Sequence, residues 1–233
     1  MVRGFAALPR RLFLVVMLLG AALITASSLS YFDFRQLPPF MIEKLPLRFE
    51  RLWLFSLRVH VFSALLCFPL CLVLMTRSLQ RRPLWHRWLG RVAGFLILLA
   101  LVPTGMVLAL DAKGGALVSA GFMLSGVIVF VAMAHGILAA RRRDLVAHRR
   151  DLFHVVAQMS VAVTSRALMV GLDMLEWEPE LAYVIALWTP VLFSAAAAEF
   201  FARRPARASG WWRGLGRVLR PLEFARVVSR SNP

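Results

Sequence analysis

The chain has 233 residues, 60% of them hydrophobic, with a mean hydropathy of +0.70. A soluble domain is about half apolar; here the excess forms runs of about twenty residues, the length that crosses a bilayer's hydrocarbon core. That excludes an ordinary soluble core, and the net charge of +16 sits in arginine blocks at the ends of those runs, a membrane-topology pattern and not a nucleic-acid surface.

Six runs are predicted to span as helices, because a backbone amide in lipid must find its partner within its own segment. The first, about Leu12–Leu29, follows Arg3, Arg10 and Arg11. Its continuation, ITASSLS, also fits a cleaved signal peptide, and PRRLFL loosely resembles a twin-arginine signal. Cleavage there would leave five spans. The next connection mixes Asp33, Glu43 and Glu50 with Arg35, Lys44, Arg48 and Arg51.

The second run, Leu52–Thr76, carries Arg58 and His60 near its start and Cys67 and Cys71 further on. Cysteines four residues apart share a helix face but lie too far along it for an easy disulfide, so they are expected to be small packing residues. Arg77, Arg81, Arg82, Arg87 and Arg91 follow. The third run, Trp88–Leu110, ends at DAKGG, where Gly114 and Gly115 predict a tight turn into the fourth, Ala116–Ala140.

The stretch RRRDLVAHRRDLFHV then sets five arginines and two histidines between runs four and five. The fifth run is Leu152–Leu172. DMLEWEPE, with no basic residue, leads to the sixth, Leu181–Ala202. Arginine-rich connections thus alternate with mixed or acidic ones. The positive-inside rule places both termini in the cytoplasm.

The expected architecture is an all-α integral membrane protein, a six-transmembrane-helix bundle over residues 1–202 with a basic cytoplasmic tail over 203–233. In the tail, Trp211, Leu215, Val218, Leu219 and Leu222 share one helical face, and Arg213, Arg217 and Arg220 share the other. That is the pattern of an amphipathic helix lying on the anionic lipids of the inner leaflet; Gly214, Gly216 and Pro221 favour a disordered basic tail instead. The tryptophans, Trp53, Trp85, Trp88, Trp177, Trp188, Trp211 and Trp212, fall mostly at run ends and are expected to anchor at the interface. Pro69, Pro103 and Pro190 are expected to kink their helices.

Ionisable residues inside spans point to function. Arg166 lies roughly 20 Å along the fifth run at about 1.5 Å per residue, in the outer half of the membrane. His154, Gln158, Ser165 and Asp173 form a polar stripe on its helix, with Arg166 at the edge, and that stripe is expected to face the bundle or a wet cavity. Arg58, His60, Asp111, Arg166 and Asp173 can therefore form one outer-side polar cluster. The plainer alternative is that Arg58 snorkels to the headgroups and Arg166 pairs with an acid to fix packing.

The histidines make a second constellation on the inner side: His86, His135, His148 and His154. Haem b in membrane bundles takes histidines from two helices at similar depth. His135 and His154 are the best-matched pair, with His86 as the substitute ligand. The chain has no GxGxxG fingerprint and no phosphate loop, and no nucleophile–base–orienter set that would argue for hydrolysis.

Several stretches together resemble a family: LRVHVFSALLCFPL, RRPLWHRWLGRV, DAKGG followed by GF, and RRRDLVAHRRDLF followed by AVTSRAL. In this order and spacing the chain is similar to the bacterial membrane proteins grouped as domain of unknown function 2306, over about residues 39–172. The family positions fall on His60, His86, Arg87, Gly90, Arg91, Gly114, Gly115, Arg142, Arg143, His148, Arg149, Arg150 and Arg166. The resemblance implies a multi-span bundle of the bacterial inner membrane with no established activity. Asp151-Leu152-Phe153-His154 departs from the aromatic, methionine and basic pattern expected there, which leaves His135 and His154 outside the shared motif.

Two functions compete. One is a non-enzymatic transport, sensing or assembly protein whose cluster around Arg166 binds an anion or docks a protein partner or a second copy. The other is a b-type cytochrome-like electron-transfer subunit with one haem on the cytoplasmic side.

Overall fold

Apolar runs with no strand partner fold as helices in lipid, and these do. The computed structural model describes residues 8–33, 47 and 49–203. Its six long helices are α1 Leu8–Ser28, α2 Glu50–Leu74, α3 Pro83–Leu110, α4 Gly115–Arg141, α5 Leu145–Met174 and α6 Pro179–Arg203. A 3-10 turn, Leu29–Phe32, extends α1, and one helical turn, Arg77–Gln80, joins α2 to α3. All six are long and apolar enough to cross a membrane. The chain is a multi-pass helical membrane protein. The tail beyond residue 203, with the amphipathic helix expected around Trp211 to Leu222, lies outside the described residues, as do Arg3, Arg35, Glu43, Lys44 and Arg48.

Two helices begin well before their apolar runs. Asp144 caps α5, its Oδ1 accepting from the amides of Val146 at 3.2 Å and Ala147 at 3.0 Å. An N-cap carboxylate satisfies orphan amides and lets a polar first turn become helical. So α5 starts at Leu145, not near Leu152. Pro83 opens α3 at a first-turn position that needs no N–H. Glu178 caps α6 through the amides of Glu180 and Leu181. Gly114 and Gly115, at φ +94° and +79°, make the turn between α3 and α4 in the left-handed region that glycine adopts freely.

Helix α5 is central and packs against α1, α2, α4 and α6. Buried Cys67, Cys71, Leu72, Ile97 and Val155 lie in one core cluster, and both cysteines are free thiols packed inside it. Met17 and Ala21 bring α1 into the same cluster. One buried polar group crosses the bundle. Gln158 on α5 accepts from Ser125 Oγ on α4 at 2.9 Å and donates to Val191 O and Ser194 Oγ on α6, both at 3.1 Å. Every polar atom of that amide is engaged, as burial in lipid demands.

In α3, Ile97–Leu101 winds as a π turn ahead of Pro103. Proline has no N–H for the carbonyl four residues back, and π turns loosen the ladder so that carbonyls can turn to other donors. Pro69 and Pro190 lie inside helices that continue past them. Trp53 corrects the interfacial expectation: it is 4% exposed and packs with Leu57 inside the bundle. Trp85, Trp88 and Trp177 are exposed, and Trp188 donates its indole N–H to Leu117 O at 3.0 Å.

Candidate functional site

Two polar constellations stand at opposite ends of the bundle. The first lies at the end with the Gly114–Gly115 turn. Arg58, two turns into α2, donates from Nε to the backbone oxygen of Tyr31 at 3.2 Å, tying α2 to the turn that ends α1. His60 Nδ1 lies 2.9 Å from Leu101 O, the last residue of the π turn. A carbonyl can only accept, so the proton is on Nδ1 and the neutral ring presents Nε2 as an acceptor. The ring rests on Gly105, where a Cβ would come within 2.8 Å of His60 Cε1. Glycine is required there by close approach.

Arg166 completes this group from α5. Its helix packs against α2, which carries Arg58 and His60, and against α1. Nη1 donates to Ala162 O at 2.8 Å, one turn back along its own helix. Side chains on a helix lean toward its N-terminus, so the guanidinium points along α5 toward the arginine-rich end, away from the nearer end at Met174. No carboxylate among the described residues pairs with it.

The stripe on α5 divides. Gln158 is buried and His154 and Ser165 are half-buried, but Arg166 and Asp173 are exposed. Arg166 thus lies at the bundle surface beside α1 and α2, because its helical angle puts it at the stripe's edge. Asp173 lies at the last turn of α5, and Asp111 at the exposed end of α3.

The second constellation is at the arginine-rich end. Glu199, one turn before Arg203, gathers three basic side chains. Arg150 grips it with Nε at 3.1 Å and Nη2 at 2.9 Å, His154 Nε2 lies at 3.2 Å, and Arg203 Nε at 2.9 Å. A bidentate arginine–carboxylate pair is the geometry with most directional strength, and it fastens α5 to α6. His135 Nδ1 pairs with Asp151 Oδ2 at 2.7 Å, and His148 Nδ1 donates to Gly136 O at 2.8 Å, fastening α4 to α5. Gly136 allows that approach: a Cβ there would sit 2.7 Å from Leu152 Cδ2.

The haem pair does not fit this arrangement. His154 turns its Nε2 to Glu199 on α6, while His135 turns to Asp151 and is exposed. The two rings serve different carboxylates, and the contact of Gly136 with Leu152 closes the gap between their helices. His86 is half-buried, and its Nδ1 is buried with no hydrogen-bond partner. Among the described residues, no group of three or more His, Cys, Asp or Glu could hold a metal ion.

The other motif residues have structural settings. Arg87, Arg91 and Arg142 are exposed, and Gly90 faces open space. Arg143, at φ +62°, reverses the chain after α4. Arg149 lies over the Phe153 ring at 5.3 Å. The sequence signal for Glu199 is slight: a lone acid in the otherwise apolar SAAAAEFF at the end of a span.

A family model described as a predicted membrane protein (DUF2306) matches residues 57–202, more than half of the chain. The chain belongs to the DUF2306 family. No curated protein and no solved structure matches it. The DUF2306 match runs from the second turn of α2 to the end of α6, beyond the expected limit near Leu172. It therefore takes in Glu199 as well as Arg58, His60 and Arg166, and leaves out α1.

Proposed function

We propose that this DUF2306 protein is a non-enzymatic protein of the bacterial inner membrane, with both termini cytoplasmic, that binds an anionic group at Arg166 in the outer half of the bilayer. Such a site serves transport or sensing. The observation that carries the reading is the direction of Arg166. Helix α5 ends at Met174, roughly 12 Å beyond Arg166 at about 1.5 Å per residue. A guanidinium seeking the nearer headgroups would turn that way, whereas this one turns deeper and spends a donor on Ala162 O.

A guanidinium has five N–H donors. In hydrocarbon, an arginine costs about 3 kcal/mol at a helix centre even after local adjustment. An anion in a wet cleft satisfies the remaining donors. Arg58 adds a second positive charge. The orientation rests on the arginine blocks, and the basic tail adds contact with anionic lipids of the inner leaflet. The haem alternative has less support, since its two histidines serve different carboxylates.

The test is thermal unfolding of the protein in phosphatidylcholine nanodiscs with glycerol phosphate, acetate or neutral glycerol. A ligand that binds the folded state raises the midpoint with concentration. The anions should do so for the wild type and not for Arg166→Leu, and glycerol for neither. Indifference of the wild type to every anion contradicts the reading. If Arg166→Leu instead splits a larger complex, the acid is supplied by a partner span.

A further inference from the structure

We infer that the anion received at Arg166 and Arg58 is the phosphate head of a membrane lipid, whose chain lies in a groove along α2. The inference rests on the anion-binding reading above and names its ligand. The groove, of about 510 Å³, is lined by Arg51, Leu54, Phe55, Arg58 and Phe62 of α2 and by Phe32 after α1. Positions 51, 54, 55, 58 and 62 recur at the three- and four-residue spacing of one helix face. Along that face the residues alternate in kind: guanidinium, apolar wall, guanidinium, apolar wall. From Arg51 to Phe62 it is roughly 17 Å long at about 1.5 Å per residue, and its volume is in the range of about 300–1,000 Å³ typical of small-molecule sites.

The groove opens outward. Phe55 is 62% and Phe62 55% exposed, so the wall meets lipid directly. It also adjoins the polar cluster. Arg58 lines the groove and donates to Tyr31 O, next to Phe32. Arg166 comes from α5, which packs against both α1 and α2. A head held at Arg58 therefore has its chain at the mouth of the groove. A small hydrophilic ion has no use for an aromatic wall, and a neutral lipid has none for two guanidiniums. The planar fork of arginine matches the oxygens of a phosphate.

Three probes separate head from chain: lysophosphatidic acid, glycerol phosphate and lysophosphatidylcholine. Binding of each is measured to the full chain in phosphatidylcholine nanodiscs, with empty nanodiscs as the blank. The wild type is expected to bind lysophosphatidic acid at least about tenfold tighter than glycerol phosphate, the gain from burying roughly two methylene groups. Lysophosphatidylcholine should bind weakly. Changing Phe55→Ala and Phe62→Ala together should bring lysophosphatidic acid to the level of glycerol phosphate and leave glycerol phosphate unchanged. The wild-type comparison stands even if that variant misfolds. Equal affinity for the two phosphates, both lost in Arg166→Leu, overturns the lipid inference and leaves the anion site standing. Lysophosphatidic acid binding that survives Arg166→Leu, or no phosphate binding by folded protein, overturns both.

Discussion

Arg166 sends an N–H back to the carbonyl oxygen of Ala162, 2.8 Å away and one turn nearer the arginine-rich end of α5. The bond costs the helix nothing, since a carbonyl has a second lone pair, but it holds the guanidinium away from the nearer surface. A charge placed there for binding stabilises the fold little. Arg166→Leu should therefore keep the unfolding midpoint in nanodiscs unchanged or raise stability by up to about 3 kcal/mol, while removing anion binding. A clear loss of stability would mean that Arg166 is a packing group.

His60 depends on the absence of a side chain at position 105. A Cβ there would lie 2.8 Å from Cε1 and 3.1 Å from Nδ1. Gly105→Ala should push the ring off Leu101 O, and nitrogen NMR of the histidines should show the Nδ1 signal changed. An unaltered His60 signal in the variant would show that the ring has freedom the close approach denies it.

At the other end, Glu199 and Arg150 should couple. Arg150 offers two parallel bonds, whereas Arg203 offers one from a more exposed side chain on the same helix. Glu199→Gln and Arg150→Gln should each lower the thermal midpoint, and together should lower it by less than the sum. Arg203→Gln should have the smaller effect. Strict additivity of the first pair would contradict the bidentate link.

Gln158 joins three helices by three hydrogen bonds. Interhelical bonds in membranes average about 0.6 kcal/mol each, so Gln158→Leu should cost about 2 kcal/mol and Ser125→Ala about 0.6 kcal/mol in reversible unfolding. Equal losses would show that the amide carries no more than its bond to α4.

Much of this fold could be read in the residues. Length and hydropathy place six spans because lipid allows a helix few alternatives. The glycine pair between α3 and α4 sits at a turn for the reason expected. Boundaries were less readable at Leu145 and Pro83, where caps extend helices into charged sequence that hydropathy rejects. Trp53 misled because a tryptophan near a helix end can turn inward as easily as toward the headgroups. The site was half legible. Arg58, His60 and Arg166 stand out as ionisable groups in apolar runs, but the π turn that offers Leu101 O to His60 leaves no mark in the residue pattern. Glu199 was hidden by its place near a helix end, where an acid looks like an ordinary boundary residue. Its three partners come from different turns and helices, and pairing across helices leaves no local pattern.

The central claim is that Arg166 stands in a wet cleft open to the outer side. The direct measurement is the reactivity of Arg166→Cys, made with Cys67→Ala and Cys71→Ala, toward a membrane-impermeant sulfonate thiol reagent added to intact cells. The account predicts modification from outside, at a rate well above that of a cysteine placed at lipid-facing Phe193, which is 73% exposed on α6. Protection from the sulfonate reagent on both sides, with reaction only toward a lipid-soluble maleimide, would put Arg166 in dry hydrocarbon and contradict the account.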